Sequence, residues 1–176
     1  LYMSGNDSQV KIISMSIGDV FYSSTVADGI FYAYNRGKLM FAAAGTSLSW
    51  TSWWGVIFPA NMSQTFAVTG IRDNMTQRCN TCHDGPEVDF VAVMQRASST
   101  SRTSLTLAMS GDQPAYVGGS SAATATTAGI AALVWATNPG QSPYQVIQRM
   151  KYASSNYPNR DSNFGWGTIN AAQAVQ

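Results

Sequence analysis

The sequence has 176 residues, which is enough for one domain with a sizeable apolar core. Charged residues make up only 11% of it, and the formal net charge is +1 without any run of basic residues. Nothing in this balance favours a nucleic acid or an acidic membrane as partner, because both are bound through clustered positive charge. No apolar stretch reaches the roughly 18 residues of a membrane span. Residues 1–176 carry no internal repeat and are interpreted as a single domain.

The first quarter of the chain predicts a βαβ unit. Residues 10–16 form a β-rich run, and residues 25–36 place apolar side chains at helical spacing before Gly37, a natural helix end. Residues 38–44 then predict a second buried strand. A strand, a helix and a strand with short connections imply a parallel pair with a right-handed crossover.

The rest of the chain continues the alternation of strands and helices. Residues 66–69 and 88–93 are strand candidates, and the Ser/Thr-rich residues 95–112 favour an extended hairpin. Residues 121–137 predict a helix of nearly all small side chains, which we expect to pack closely against neighbours on every side. Ser142, followed by Pro and by Gln three positions later, begins the next helix with a capping box.

Four separated segments together resemble the subtilisin-like serine peptidases, the subtilases. Residues 119–129 (GSSAATATTAG) are similar to the family's nucleophile box, a Gly-Thr-Ser followed by a helix that reaches Ala-Gly. Residues 14–18 (SMSIG) and 41–45 (FAAAG) resemble the substrate-binding strand and the strand that leads to the oxyanion hole. Residues 164–171 (FGWGTINA) resemble the family's closing element. The order and approximate spacing fit along nearly the whole chain, which makes the set far more specific than any one motif.

The resemblance implies a three-layer α/β fold, with a mainly parallel central sheet flanked by helices, of which this chain is the C-terminal two-thirds. It places Ser121 at the position of the nucleophile. Ser120 is the alternative, but only Ser121 has the family's distance to Ala128 and Gly129. A serine at a helix N-terminus suits the role, because its backbone N–H and the helix dipole stabilise negative charge. From the residues alone, a serine that merely caps a buried helix remains the alternative.

The substrate site follows from the same resemblance. Ser16, Ile17 and Gly18 would pair their backbone with an extended peptide, which adds a strand to an edge. Ala44 and Gly45 belong to the segment that leads to the oxyanion hole. Without the resemblance, residues 16–18 are an ordinary strand end.

Several residues depart from the family pattern. Thr46 stands where the family has the oxyanion-hole Asn, and its hydroxyl is a shorter donor. Ala125 and Thr126 replace the Pro and the commonly following His of the nucleophile box. The family's catalytic Asp and His precede the segment that begins this sequence. Since the chain opens with Leu1 rather than Met, we expect an upstream segment to be missing. His83, the only histidine, lies in the wrong segment to be the base.

Cys79, Cys82 and His83 have the C-x-x-C-H spacing of covalent haem attachment. A disulfide between the two cysteines, formed in an oxidising compartment, is the preferred interpretation, because a haem needs a surrounding helical pocket and this loop lies between two strands. Reduced or metal-bound cysteines are the other alternative, although two Cys and one His are one ligand short of a closed zinc site. We therefore predict no metal and no cofactor; a structural calcium ion cannot be derived from the sequence.

Three functions are compatible with the sequence. The first is a secreted serine endopeptidase that cleaves peptide or protein substrates by acyl transfer through Ser121, with Asp and His supplied upstream. The second, motivated by Thr46, is a catalytically inactive subtilase-like domain that keeps the groove for peptide or protein binding. The third is a haem-carrying electron-transfer protein, and it depends on the C-x-x-C-H motif alone. In the first two, the missing N-terminal part of the domain is an expected partner, because it would cover the bare sheet edge.

Overall fold

The structure, a computed structural model, describes residues 1–46, 55–107 and 113–176. Its helices and strands, in chain order, are α1 (Tyr2–Asn6), β1 (Ile12–Met15), α2 (Ser24–Tyr34), β2 (Leu39–Ala43), β3 (Phe66–Arg72), β4 (Val88–Gln95), β5 (Ser104–Thr106), β6 (Ala115–Val117), α3 (Gly119–Thr137), α4 (Pro143–Tyr152) and α5 (Ala171–Ala174). None of the helices in these three ranges is both long and apolar enough to cross a lipid bilayer.

Strands β1 to β4 form one parallel sheet in the order β1-β2-β3-β4. The predicted βαβ unit is confirmed, since β1 and β2 are parallel neighbours with Ile12 opposite Leu39 and α2 between them in the chain. Every residue of β2 is buried. Helices cover both faces of a parallel sheet, so the side chains on both faces of its strands are buried. This explains the unbroken apolar run of residues 39–43.

Helices cover the sheet on both faces. On one face, Ile30 and Ala33 of α2 pack against Met40 and Ala42 of β2. On the other face, α3, α4 and α5 bury their apolar residues against side chains of the strands, among them Phe41, Val68 and Phe90. Helix, sheet and helix make three layers, so the predicted fold class is confirmed.

Two helices begin as their sequences indicate. The Ser23 hydroxyl accepts a hydrogen bond from the Val26 backbone N–H at the start of α2. At the start of α4, the Ser142 hydroxyl accepts from the Gln145 N–H while the Gln145 side chain accepts from the Ser142 N–H. The predicted capping box is therefore confirmed, and such a cap contributes about 1 kcal/mol to stability.

The region after β4 differs from the prediction. A hairpin does form, but its strands are β5 and β6, which pair antiparallel with Leu105 opposite Tyr116. The second strand thus lies beyond the predicted limit at residue 112, and residues 108–112 are outside the described ranges. Helix α3 begins at Gly119, two residues before the predicted start. Gly119 has φ +80, a conformation that glycine adopts without strain, and it turns the chain from β6 into the helix.

Helix α3 is not enclosed on every side, contrary to expectation. Its buried side, including Ala131 and Val134, faces the core. The opposite side is open to solvent, and we call this the open face of α3; its exposed members are Ala125, Thr126, Gly129, Ala132 and Leu133. Residues 1–176 do not meet this expectation, because small side chains permit close packing from all directions but do not supply the neighbours.

Candidate active site

Ser121 lies in the first turn of α3, with an exposed side chain. Because α3 packs across all four strands of the parallel sheet, its first turn is held firmly relative to them. As one of the first residues of the helix, Ser121 has a backbone N–H with no acceptor inside the helix. An exposed hydroxyl, an N–H without an intrahelical partner and the positive end of the helix dipole therefore meet at one place.

The segment after β1 lies beside Ser121. The Ser16 hydroxyl donates a hydrogen bond of 2.8 Å to the main-chain oxygen of Ser121. Ile17 is 65% exposed, and Gly18 is exposed as well. A Cβ at Gly18 would lie 2.6 Å from the Ile57 side chain and 3.0 Å from the Phe58 oxygen, so a larger residue here would require Ile57 to move. The predicted substrate-binding residues 16–18 are thus an exposed segment next to the candidate nucleophile.

Thr46 contacts the residue that precedes Ser121. Its Oγ1 accepts a hydrogen bond of 3.0 Å from the Ser120 backbone N–H and lies 2.7 Å from the Ser120 Oγ. When the Ser120 hydroxyl is the donor of the second bond, both lone pairs of the Thr46 oxygen are occupied, and its one proton is free to point elsewhere. Ser120 is buried and only 1% exposed, which leaves Ser121 as the accessible hydroxyl of the pair.

The backbone that leads to Thr46 is constrained on both sides. The Ala44 N–H donates to the Val68 oxygen, and the Ala44 oxygen accepts from the Ile57 N–H. Gly45 has φ +129, and a Cβ there would lie 2.5 Å from Nδ1 of His83. Glycine is therefore needed at position 45 for its conformation and for the space it leaves.

Cys79 and Cys82 are joined by a disulfide with a Cα–Cα distance of 5.1 Å, and both are buried. A disulfide uses both thiols, which leaves neither for a haem thioether or a metal thiolate. In the described part of the chain, no three His, Cys, Asp or Glu side chains form a group that could hold a metal ion. Cys82 forms an antiparallel β-bridge with Thr46, so the disulfide lies directly next to the candidate site.

His83 is 3% exposed, and its ring lies against Gly45. Its Nδ1 lies 2.7 Å from the main-chain oxygen of Gly55. Sequence reasoning set His83 aside as a base and considered it otherwise only as part of the C-x-x-C-H motif, for haem or metal binding. Its contacts with the candidate site join residues far apart in the chain, and the only local signal was its position next to Cys82.

The structure thus brings Ser16, Thr46, Ser120 and Ser121 together at the ends of β1 and β2. When the Ser120 hydroxyl donates to Thr46, this arrangement can stabilise an oxyanion, since the Thr46 hydroxyl and the Ser121 N–H are then both available as donors. Ser121 also needs a histidine base next to its hydroxyl. This chain does not supply one there, because its one histidine is the buried His83. The catalytic roles of these residues stay predictions.

Comparison with known proteins agrees with this geometry. The sequence model of the subtilase family, peptidase family S8, matches residues 2–167. The chain is 32% identical over 170 residues to a thermostable alkaline protease of Halalkalibacterium halodurans, covering 97% of this chain and 43% of that protein. It is 28% identical over 176 residues to Subtilisin Savinase of Lederbergia lenta, covering 100% of this chain and 60% of that protein.

Solved structures show the same fold. A protease from Pseudoalteromonas arctica superposes with a TM-score of 0.79 at 24% identity, over 99% of this chain and 55% of that one. The chain thus spans about half the length of the relatives that it matches. Since the family model covers nearly all of the sequence, and the predicted motifs lie where the fold brings them together, this chain belongs to the subtilase family.

Proposed function

We propose that this chain is the C-terminal part of the catalytic domain of a secreted serine endopeptidase, with Ser121 as its nucleophile. The observation that carries the proposal is the position of Ser121: exposed, in the first turn of α3, between the Ser16 segment and Thr46. The relatives named above are proteases, and two of them carry the words alkaline protease or subtilisin in their names.

The proposed reaction is acyl transfer. The Ser121 oxygen attacks the peptide carbonyl while its proton passes to a histidine base, and the carbonyl electron pair moves onto the oxygen. The Ser121 N–H and the Thr46 hydroxyl donate hydrogen bonds to that oxyanion. Collapse of the tetrahedral intermediate releases the amine, which takes the proton from the histidine, and water then hydrolyses the acyl-enzyme. Residues 16–18 hold the substrate as an added strand.

The base and its orienting aspartate are proposed to come from a segment upstream of this sequence, as part of the same domain. Two unpartnered surfaces are suited to that segment. Within the described residues, β1 pairs on one side only, with β2. A groove of about 440 Å³ runs between β1 and the exposed side of α3, lined by Lys11, Ile12, Ala132 and Trp135 among others. A further strand beside β1, with elements over the open face of α3, would bury both surfaces.

One observation favours the second candidate, an inactive binding domain. The Thr46 hydroxyl is paired with Ser120, and if it donates to the Ser120 Oγ it has no proton left for an oxyanion. Loss of such a donor costs on the order of 10² to 10³ in rate. The groove of residues 16–18 would then bind peptides without cleaving them.

Hydrolysis of a chromogenic peptide by the full-length protein distinguishes the two candidates. We expect turnover that Ser121→Ala reduces to background and that Ser120→Ala, the matched control one residue away, only lowers. The same protein without its upstream segment should have no activity, because the triad then lacks its base. Peptide binding with equal affinity and no turnover in both the wild type and Ser121→Ala would instead support the binding domain.

A further inference from the structure

We infer that residues 79–83 form a clamp that positions Thr46 for oxyanion binding, with His83 as a positioning residue and the Cys79–Cys82 disulfide as its fixed base. The inference rests on the proposed peptidase function and adds a role for the C-x-x-C-H motif, which that function leaves unused. The clamp contacts Gly45 and Thr46 on one side and Gly55 on the other.

The first contact is at the Thr46 end. Cys82 forms an antiparallel bridge with Thr46. The His83 backbone N–H donates a hydrogen bond of 2.9 Å to the Gly45 oxygen. The His83 ring lies against the Cα side of Gly45, where a methyl group would not fit. Residues 82 and 83 therefore fix the backbone from which the Thr46 side chain reaches Ser120.

The second contact is at the other end of the same segment. The Gly55 oxygen lies 2.7 Å from Nδ1 of His83. A carbonyl oxygen can only accept, so this bond requires the proton on Nδ1. One histidine thus holds the oxygen of Gly45 through its backbone and the oxygen of Gly55 through its ring. It thereby fixes the position of Gly45, just after β2, relative to Gly55.

The clamp is itself fixed to β3 and β4. The Cys79 N–H donates to the Gly70 oxygen at 2.8 Å, and the Asn80 N–H donates to the Gln95 side chain at 2.7 Å. Gly70 leaves room for the disulfide, because a Cβ there would lie 2.9 Å from Sγ of Cys82. The Thr69 hydroxyl donates to the His83 oxygen. The covalent link keeps Cys82 next to Thr46 without a continuous strand pairing.

These contacts act on Thr46 and not on residues 16–18, which follow β1 and pair with the substrate backbone. A loosened clamp should therefore impair the oxyanion contact more than substrate binding. In kinetic terms, kcat should fall while KM changes little, since an interaction made only in the transition state is lost. A purely structural role would lower the amount of folded enzyme and leave the kcat of the folded fraction unchanged.

The test uses the full-length protein, with active molecules counted by fluorophosphonate titration. The His83→Asn variant can keep the Gly55 bond, because the Asn amide nitrogen replaces Nδ1, whereas the amide of His83→Gln extends to the position of Nε2. We expect kcat to fall on the order of tenfold in His83→Gln and in the double variant Cys79→Ser/Cys82→Ser, less than the loss of a whole oxyanion donor. The exposed Asn159→Ser, outside the clamp, is the control and should keep wild-type kinetics.

Two further readouts make the result decisive. Affinity for a peptide boronate, which mimics the tetrahedral state, should fall in parallel with kcat, while KM stays within about twofold. Hydrogen exchange of the peptide containing residues 44–46 should become faster in His83→Gln and stay slow in His83→Asn. Unchanged kcat per active molecule in folded His83→Gln would overturn the inference. If the protein has no peptidase activity, the proposed function fails, and unchanged exchange at residues 44–46 would separately overturn the clamp.

Discussion

The hydroxyl groups of Thr46 and Ser120 are hydrogen-bonded to each other. Which of the two donates the proton decides whether Thr46 can stabilise an oxyanion. With Ser120 as donor, the Thr46 oxygen accepts two hydrogen bonds and its proton is available to a substrate oxyanion. With Thr46 as donor, that proton is used internally. An asparagine at position 46 would not face this choice, since its oxygen can accept from the Ser120 N–H while its amide nitrogen donates outward.

We therefore expect Thr46→Asn to raise kcat in the full-length enzyme and Thr46→Val, which keeps the shape but loses the hydroxyl, to lower it on the order of 10². KM should change little in either variant, because the substrate backbone pairs elsewhere. Steady-state kinetics on a peptide substrate measures both effects. Equal kcat in the wild type and Thr46→Val would show that the threonine hydroxyl donates nothing to the transition state.

Gly45 offers a second test at this scale. Gly45→Ala should destabilise the fold by roughly 1–3 kcal/mol, through its positive φ and through the clash with the His83 ring. Gly37→Ala is the matched control, because Gly37 has φ +71 but a Cβ there would lie 3.8 Å from the Pro143 ring, so the variant isolates the conformational cost. Thermal unfolding should show the larger loss for Gly45→Ala. Equal losses would mean that the His83 ring moves aside without cost.

At the scale of helices and strands, the sequence was most informative where one local rule decides the outcome. Strand β2 and the capping box of α4 follow from an apolar run and from side-chain chemistry within four residues. The β5–β6 hairpin was displaced, because each strand has only 3 residues, too few for a period of two to be recognised, and β6 contains no Ser or Thr. The contacts of His83 were missed entirely, since they join residues 28 and 38 positions apart, at Gly55 and Gly45.

The site itself was predictable to the extent that it consists of backbone motifs. The positions of Ser16, Thr46 and Ser121 could be inferred from their segments, since strand ends and a helix start converge at one edge of a parallel sheet. The pairing of Thr46 with Ser120 could not be inferred from the sequence, because a threonine in place of the family's Asn has several partners within reach. Only the relative placement of β2 and α3 determines which of these partners the Thr46 hydroxyl contacts.

Strand β4 carries a carboxylate whose ionisation opposes folding. Burial raises the pKa of Asp89 from 3.8 to about 6, against the lowering influence of the Ala67 N–H bond and of Arg160 at 3.7 Å. A pKa raised on folding means that the folded state binds the proton more tightly than the unfolded state does. The associated stability is fully present below pH 3.8 and is lost as the pH rises through about 6.

Asp89→Asn should remove this dependence. The variant should gain stability relative to the wild type between about pH 4 and pH 7, by at most about 3 kcal/mol. Urea unfolding of the full-length protein at several pH values measures the difference, and Asp28→Asn, an exposed aspartate of α2, is the control. A constant difference between wild type and Asp89→Asn across this range would contradict a raised pKa.

For the molecule as a whole, the open face of α3 is the feature that connects fold and function. It is mainly apolar, it adjoins the side of β1 that pairs with no other described strand, and it lies on the helix that carries Ser121. The proposed upstream segment would cover this face and supply the catalytic base in the same step. Completion of the fold and completion of the triad are then one event.

A substitution at Leu133 tests whether an upstream segment covers the open face of α3, and a leucine of nearly equal exposure serves as the control. Leu133, on the open face of α3, is 58% exposed, and Leu105, on the β5–β6 hairpin, is 59% exposed. In the full-length protein, Leu133→Arg should cost roughly 2 kcal/mol or more, because the charge would be buried under the upstream segment, while Leu105→Arg should cost less than about 0.5 kcal/mol. Similar melting temperatures for the two variants would argue that nothing covers the open face.

The central claim is that Ser121 is the nucleophile of an enzyme completed by upstream residues. Mass spectrometry of the full-length protein after reaction with a fluorophosphonate tests it most directly, since the reagent labels only a serine that a base has activated. The account predicts one adduct per molecule, on Ser121, and none in the isolated residues 1–176. An adduct on Ser120, or equal labelling of the isolated residues 1–176, would contradict it.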